Sequence, residues 1–187
     1  LKYRDMNGDG FIDDRDETFI GYSDVPENSY SVSLGFNWKG IGFSVMFQGV
    51  DHVSRYYDAE AMYAFVAGGK VKEHHLDRWN PALTEAQNLA GAKYPLLHYD
   101  SNGDHNQRQN SFFLKNGSFC RLKNIELSYS LPQKWIKHAY MSECRVFVNA
   151  NNLITWDHLG GLTDPESNGS NRYPICKTVN FGVNIQF

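Results

Sequence analysis

The chain has no long apolar run. Nowhere do the roughly 18–20 consecutive apolar residues of a membrane-spanning helix occur, and a mean hydropathy of −0.52 excludes a bundle of such helices. An excess of charge is missing too: 18 Lys and Arg against 21 Asp and Glu leave a net charge of −3, so no basic surface invites nucleic acid. Cysteine is scarce. Cys120, Cys144 and Cys176 are odd in number and widely spaced, with no CxxC pair for zinc, and read as free thiols or one incidental pair. The chain opens on Leu1-Lys-Tyr-Arg4 with neither an initiator Met nor a basic-then-apolar leader, and reads as a mature or cleaved piece of something longer.

What the chain does have is alternation. Across Thr178–Phe187, Val179, Phe181, Val183, Ile185 and Phe187 alternate with Asn180, Gly182, Asn184 and Gln186. In a β-strand that period of two puts the apolar side chains on one face and the polar ones on the other. Ser31 to Gln48 repeats it as a hairpin, with Val32, Leu34, Phe36 and Trp38 before Lys39-Gly40 and Ile41, Phe43, Val45 and Phe47 after. Two more strands fall over Ser118–Leu131, with Ile125, Leu127, Tyr129 and Leu131 as the apolar set, and over Cys144–Asn151, with Val146, Val148 and Ala150. The opposite faces carry Ser, Gly, Asn and Gln, which are poor core material but suit a watery lumen, while the apolar faces suit lipid.

The predicted fold class is therefore all-β: about five antiparallel strands of a transmembrane β-barrel, with a long, partly helical external loop. Five strands cannot close, and an open edge in lipid leaves unpaired backbone groups, so further strands must complete the wall. A soluble calcium-stabilised β-sandwich, such as an adhesin or carbohydrate-binding module, is the alternative; it requires the apolar faces to be buried against each other. An enzyme is not expected. Glu126 is the only acidic residue at a clean inward strand position, and none of the seven histidines falls in a predicted strand.

The connections divide the chain into an external Asp/Asn-rich loop (1–28), the hairpin (29–48), a long external loop (49–111) and the last three strands with their loops (112–187). Short turns of such barrels face the periplasm. With Lys39-Gly40 on that side, the Pro132–Glu143 connection and Phe187 fall there too, and the long loops outside. Within the long loop, helices are predicted over Asp58–Ala67 and Val71–Trp79. Its aromatics (Tyr56, Tyr57, Tyr63, Phe65, Trp79, Tyr94, Tyr99) read mainly as packing. His74-His75 does not read as a chelating pair, because neighbours on a helix face different ways.

The sharpest local motif is Asp5-Met-Asn7-Gly-Asp9-Gly10-Phe11-Ile-Asp13-Asp-Arg-Asp16. Asp5, Asn7 and Asp9 occupy ligand positions 1, 3 and 5 of a calcium loop. Gly10 gives the tight turn, Phe11 offers its backbone carbonyl, and Asp13 and Asp16 stand at positions 9 and 12. A structural Ca2+ is expected there, although Asp at position 12 reaches less far than Glu and no amphipathic helices flank the loop. Asp100-Ser-Asn102-Gly-Asp104-His105 starts similarly but lacks the glycine at position 6 and reads as a plain loop.

Taken together, these residues resemble the SusC/RagA-like TonB-linked outer-membrane receptors. The resemblance is carried by Asp5–Asp13, Ile20-Gly21-Tyr22, Val25-Pro26, Phe47-Gln48-Gly49 and Arg78-Trp79-Asn80-Pro81. It continues through Ser118–Ile125, Leu127-Ser-Tyr129, Leu131-Pro132, Asn151-Asn-Leu153, Gly161, Asp164-Pro165-Glu166 and Gly182–Phe187. It implies the carboxy-terminal part of a 22-stranded barrel whose plug and TonB box lie elsewhere. It also implies a SusD-like surface lipoprotein as lid, TonB-driven import of glycans or, in some members, peptides, and outer-membrane lipid around the wall.

Overall fold

The computed structural model describes residues 1–57, 62–66, 70–99, 106, 108–167 and 173–187. The chain divides into two compact units. One comprises Tyr22–Ser54, Asn116–Asn168 and Tyr173–Phe187; the other is built mainly from Leu1–Gly21 and Arg55–Lys115.

The described residues form seven strands: β1 (Asn28–Trp38), β2 (Ile41–Asp51), β3 (Ser54–Tyr56), β4 (Leu114–Asn116), β5 (Phe119–Ser130), β6 (Glu143–Asp157) and β7 (Thr178–Gln186). Five of them form one antiparallel sheet in the order β1-β2-β5-β6-β7. β3 and β4 pair as a separate two-stranded ribbon, which the sequence does not signal.

The β1–β2 hairpin turns through Lys39 and Gly40 alone, both at positive φ (48° and 87°). That is the two-residue turn whose twist suits a hairpin. Pairing then runs unbroken from Trp38↔Ile41 to Asn28↔Asp51. Both strands extend three residues beyond the alternating stretch, to Asn28 and Asp51.

β5 and β6 depart more from expectation. β6 runs on to Asp157, six residues past the predicted end at Asn151. The reason is a register shift: Asn124 pairs with Asn151, but Leu122 pairs with Ile154, which sets Asn152 and Leu153 against Lys123 alone, one residue in excess. Asn152 takes φ 55° to absorb it, and alternation resumes with Ile154 and Trp156. Against β2 the excess residue is Lys123, because Met46 pairs with Asn124 and Phe47 with Leu122. A one-residue bulge reverses which face the next side chains occupy. Below it Ile125, Leu127 and Tyr129 share the apolar face; above it that face takes Leu122 and Cys120 instead, and Arg121 turns to the polar side.

In the other unit the predicted helix over Val71–Trp79 is not formed; only the 3-10 turn Glu73–His75 appears. Tertiary pairing wins over propensity here. Asp77 O accepts from the Lys93 and Tyr94 amides, and the Trp79 amide donates to Tyr94 O. The predicted helix over Asp58–Ala67 lies partly outside the described residues; within them, Tyr63–Phe65 are non-helical and Phe65 takes φ 65°. The regular helix falls instead at Glu85–Gly91, capped by Thr84 and Gln87 in a reciprocal capping box. That T-x-x-Q signal is legible in the sequence. Asn88 pins this helix: its amide donates to Asn80 O, Leu83 O and Thr84 O and accepts from the Asn80 amide. The aromatics do pack, as expected. Phe113 meets Tyr63 edge-on at 5.0 Å and Phe112 at the same distance, and Tyr94 stands 4.7 Å from the His75 ring.

Candidate functional site: a two-faced wall and its charge cluster

The sheet register gathers the alternating residues into rungs. On one face these are Trp38–Ile41–Tyr129–Val146–Val183, then Phe36–Phe43–Leu127–Val148–Phe181, then Leu34–Val45–Ile125–Ala150–Val179. Above the bulge they continue as Val32–Phe47–Leu122–Ile154 and Tyr30–Gly49–Cys120–Trp156. This apolar face is open, with Phe181 82% exposed. Aromatic residues bracket it, Trp38 and Tyr129 at one end and Tyr30 and Trp156 at the other. The eight residue steps from Ile41 to Gly49 span about 27 Å along the strand, or about 20 Å once tilted as in a barrel. That height suits a lipid-facing band between aromatic girdles.

The opposite face is a polar lattice. Asn180 donates to Asn149 Oδ1 at 2.9 Å, Asn124 to Asn151 Oδ1 at 2.9 Å, and Asn151 to Thr178 Oγ1 at 3.3 Å. Arg145 donates to Glu126 Oε1 at 2.5 Å and Ser128 Oγ at 3.0 Å, so the one inward acid foreseen is paired. Close approach fixes one glycine on each face. On the polar face the Phe147 ring lies on Gly182, where a Cβ would collide with it, and on the apolar face Gly49 is covered by Tyr30, whose hydroxyl donates to Phe119 O.

Above the bulge the polar face carries a charge cluster that sequence reasoning missed. Arg121 is 1% exposed. Its guanidinium donates to both Asp164 carboxylate oxygens at 2.7 and 2.8 Å and to Glu166 at 2.8 Å. Lys123 grips the same Glu166 carboxylate at 3.0 Å. The loop after β6 is thereby bound to the wall at Asp164-Pro165-Glu166. A signal was available. Unbroken alternation would set Arg121 and Lys123 beside Ile125 on the apolar face, a contradiction that only a bulge resolves.

The Asp5–Asp16 loop is exposed and organised by its own backbone. Asp5 accepts from the Gly8 and Gly10 amides, Asn7 from Asp9, and Asp9 from Phe11. Asp16 accepts from the Met6 and Asp13 amides, closing a capping box around the 3-10 turn Asp14–Asp16. These amides hold the Asp16 carboxyl below its ordinary range. Arg15, salt-bridged to Asp13 at 2.7 Å and near Asp9 at 3.5 Å, does the same for Asp13. Phe11 is exposed beside them. Among the described residues no three His, Cys, Asp or Glu side chains converge as a metal site. The six candidate ligands thus share one loop, while Arg15 supplies cationic charge to Asp13 and Asp9. His74 and His75 do stack, with ring centroids 4.1 Å apart. His75 is buried and fully used, since Nδ1 accepts from the Lys72 amide and Nε2 donates to Met62 O. All three cysteines are free.

A sheet with one lipid-compatible face, one polar face and a charge-bound loop at its mouth is a segment of a transmembrane-barrel wall. No family model matches the chain. It is 27% identical over its whole length to the TonB-dependent receptor P26 of Formosa agariphila and 26% identical over 98% of its length to the TonB-dependent receptor SusC of Bacteroides thetaiotaomicron. Its fold matches a chain of the RagAB peptide importer in its closed-closed state with a TM-score of 0.72, at 25% identity over 95% of its length. The chain is a homologue of the TonB-dependent receptors of the SusC/RagA kind. It spans about a fifth of their length, 19% of P26 and 17% of SusC.

Proposed function

We propose that this chain forms carboxy-terminal strands of a TonB-dependent importer in the outer membrane of a bacterium, contributing wall and external loops rather than chemistry. The observation that carries this reading is the set of in-register apolar rungs on one face backed by a polar lattice on the other. The sandwich alternative needs that apolar face covered, and here it is open. In the proposed receptor the remaining strands and plug come from the rest of the protein. A SusD-like lipoprotein closes the outer mouth, and TonB drives release of cargo. The proposed cargo is an oligosaccharide; the RagAB resemblance makes a peptide the second choice. Membrane fractionation tests the class: the protein should leave the membrane only with detergent, and release into plain buffer would sink the barrel reading. Uptake measured with defined glycans and peptides decides the cargo.

A structural Ca2+ on Asp5, Asn7, Asp9, the Phe11 carbonyl, Asp13 and Asp16 is part of the same proposal, bracing an external loop rather than binding cargo. The amide-oriented carboxylates support it; the Arg15 ion pairs compete with it. A chelator should raise protease cleavage within residues 5–16, and unchanged cleavage would mean a turn held by its own amides and Arg15.

A further inference from the structure

We infer that the turn Pro132–Ser142 is a membrane-interface anchor that binds headgroups of anionic phospholipid in the periplasmic leaflet. The inference rests on the membrane-wall reading above. The turn carries Lys134, Lys137 and His138 and no acidic residue. It is built rather than loose: the helical turn Gln133–Ile136 passes into a 3-10 turn Lys137–Ala139. The Trp135 amide donates to Pro132 O at 2.9 Å, the Met141 amide to Ile136 O, and the Gln133 side chain to Ser142 O. Ile136 is buried and roots this knuckle. Its large aromatics stand out from it, Trp135 66% exposed and Tyr140 90%.

Position then selects the partner. The knuckle joins β5 to β6 at the same end of the sheet as the Lys39-Gly40 turn, where the apolar face finishes in Trp38 and Tyr129. Lys39 Nζ lies 4.9 Å over the Trp38 ring there. The acidic side chain beside the knuckle is Glu143, which starts β6 on the polar face opposite Gln186. This end of the sheet therefore presents exposed aromatics and cations beside the edge of the apolar face. Amphipathic rings settle at headgroup depth, and lysine stems lie along apolar surface while their ammonium groups reach phosphate. Each lysine near an anionic lipid surface changes affinity by about five-fold at low salt.

The test uses the full-length receptor containing this segment, reconstituted in nanodiscs of phosphatidylethanolamine with phosphatidylglycerol. Lipid retained by the protein is compared with bulk lipid by mass spectrometry. Wild type should retain phosphatidylglycerol in excess. K134Q/K137Q should lose about five-fold of that excess per lysine at low salt, while K134R/K137R should keep it. Equal enrichment in wild type and K134Q/K137Q, with both giving a folded barrel band on unheated gels, overturns the anchor and leaves the wall reading intact. A receptor that enters no membrane overturns both.

Discussion

Arg121 shows what a single residue does in this wall. Its guanidinium is nearly sealed from solvent and holds two carboxylates of one loop. Removing it leaves Asp164 without a cation and Glu166 with Lys123 alone in a poorly hydrated place, and breaking a buried pair from one side costs about 3–5 kcal/mol. R121M should therefore lower the melting temperature of the full receptor and free the loop after β6 for proteolysis. The triple variant R121M/D164N/E166Q should recover part of the loss, because only the half-exposed Lys123 then lacks its carboxylate. Gly182 makes a steric prediction. G182A should destabilise by about 1–3 kcal/mol through overpacking against Phe147, and F147L should relieve it in a double-mutant cycle read by thermal unfolding. Both effects depend on cross-strand neighbours, so neither is visible from residue types alone.

At the scale of elements, faces were legible wherever one register held throughout. β1, β2 and β7 read correctly because nothing interrupts their period of two. β6 read short, and β5 was found at its full extent but without its faces above Asn124, because the bulge at Lys123 and the left-handed Asn152 break the period without any proline or glycine to announce them. The long loop read poorly for another reason. Its helical periodicity at Val71–Trp79 is weaker than the backbone pairing Asp77 and Trp79 make with Tyr94, a contact between distant positions. The Asp5–Asp16 ligand set was legible as a turn because Asx side chains bond to amides two or three residues on. The same long loop carries a pH prediction. Burial, then the charge of His75 and Lys72, lowers the His74 pKa below its ordinary 6.5. With the folded value below the unfolded one, the stability held by the neutral ring is present above about pH 6.5 and is lost as pH falls through the folded value. Protease cleavage around residues 70–94 should rise on acidification below about pH 6, and rise less in H74Q.

For the whole molecule the decisive fact is that the five-stranded sheet does not close on itself. β1 and β7 each keep one edge without a partner strand among the described residues, and each unpaired backbone group in lipid costs several kcal/mol. Residues 1–187 expressed alone should not give a heat-resistant barrel band on a gel; a folded monomer in plain buffer would contradict the wall reading. The bulge at Lys123 also bears on how such a protein can change over generations. In a soluble loop, losing one residue shortens a tether. Here, deleting Lys123 would remove the bulge and leave Leu122 on the apolar face and Arg121 on the polar one, because Met46 and Phe47 already pair with Asn124 and Leu122. Straightening the bulge with all its residues kept would instead turn the upper half of β5 inside out and send Arg121 to lipid, at about 2–4 kcal/mol near mid-depth and less towards the surface. Loss of Lys123 should therefore be tolerated better than a single-residue insertion across 119–122, so that in this stretch the bulge is a reserve that can absorb one lost residue.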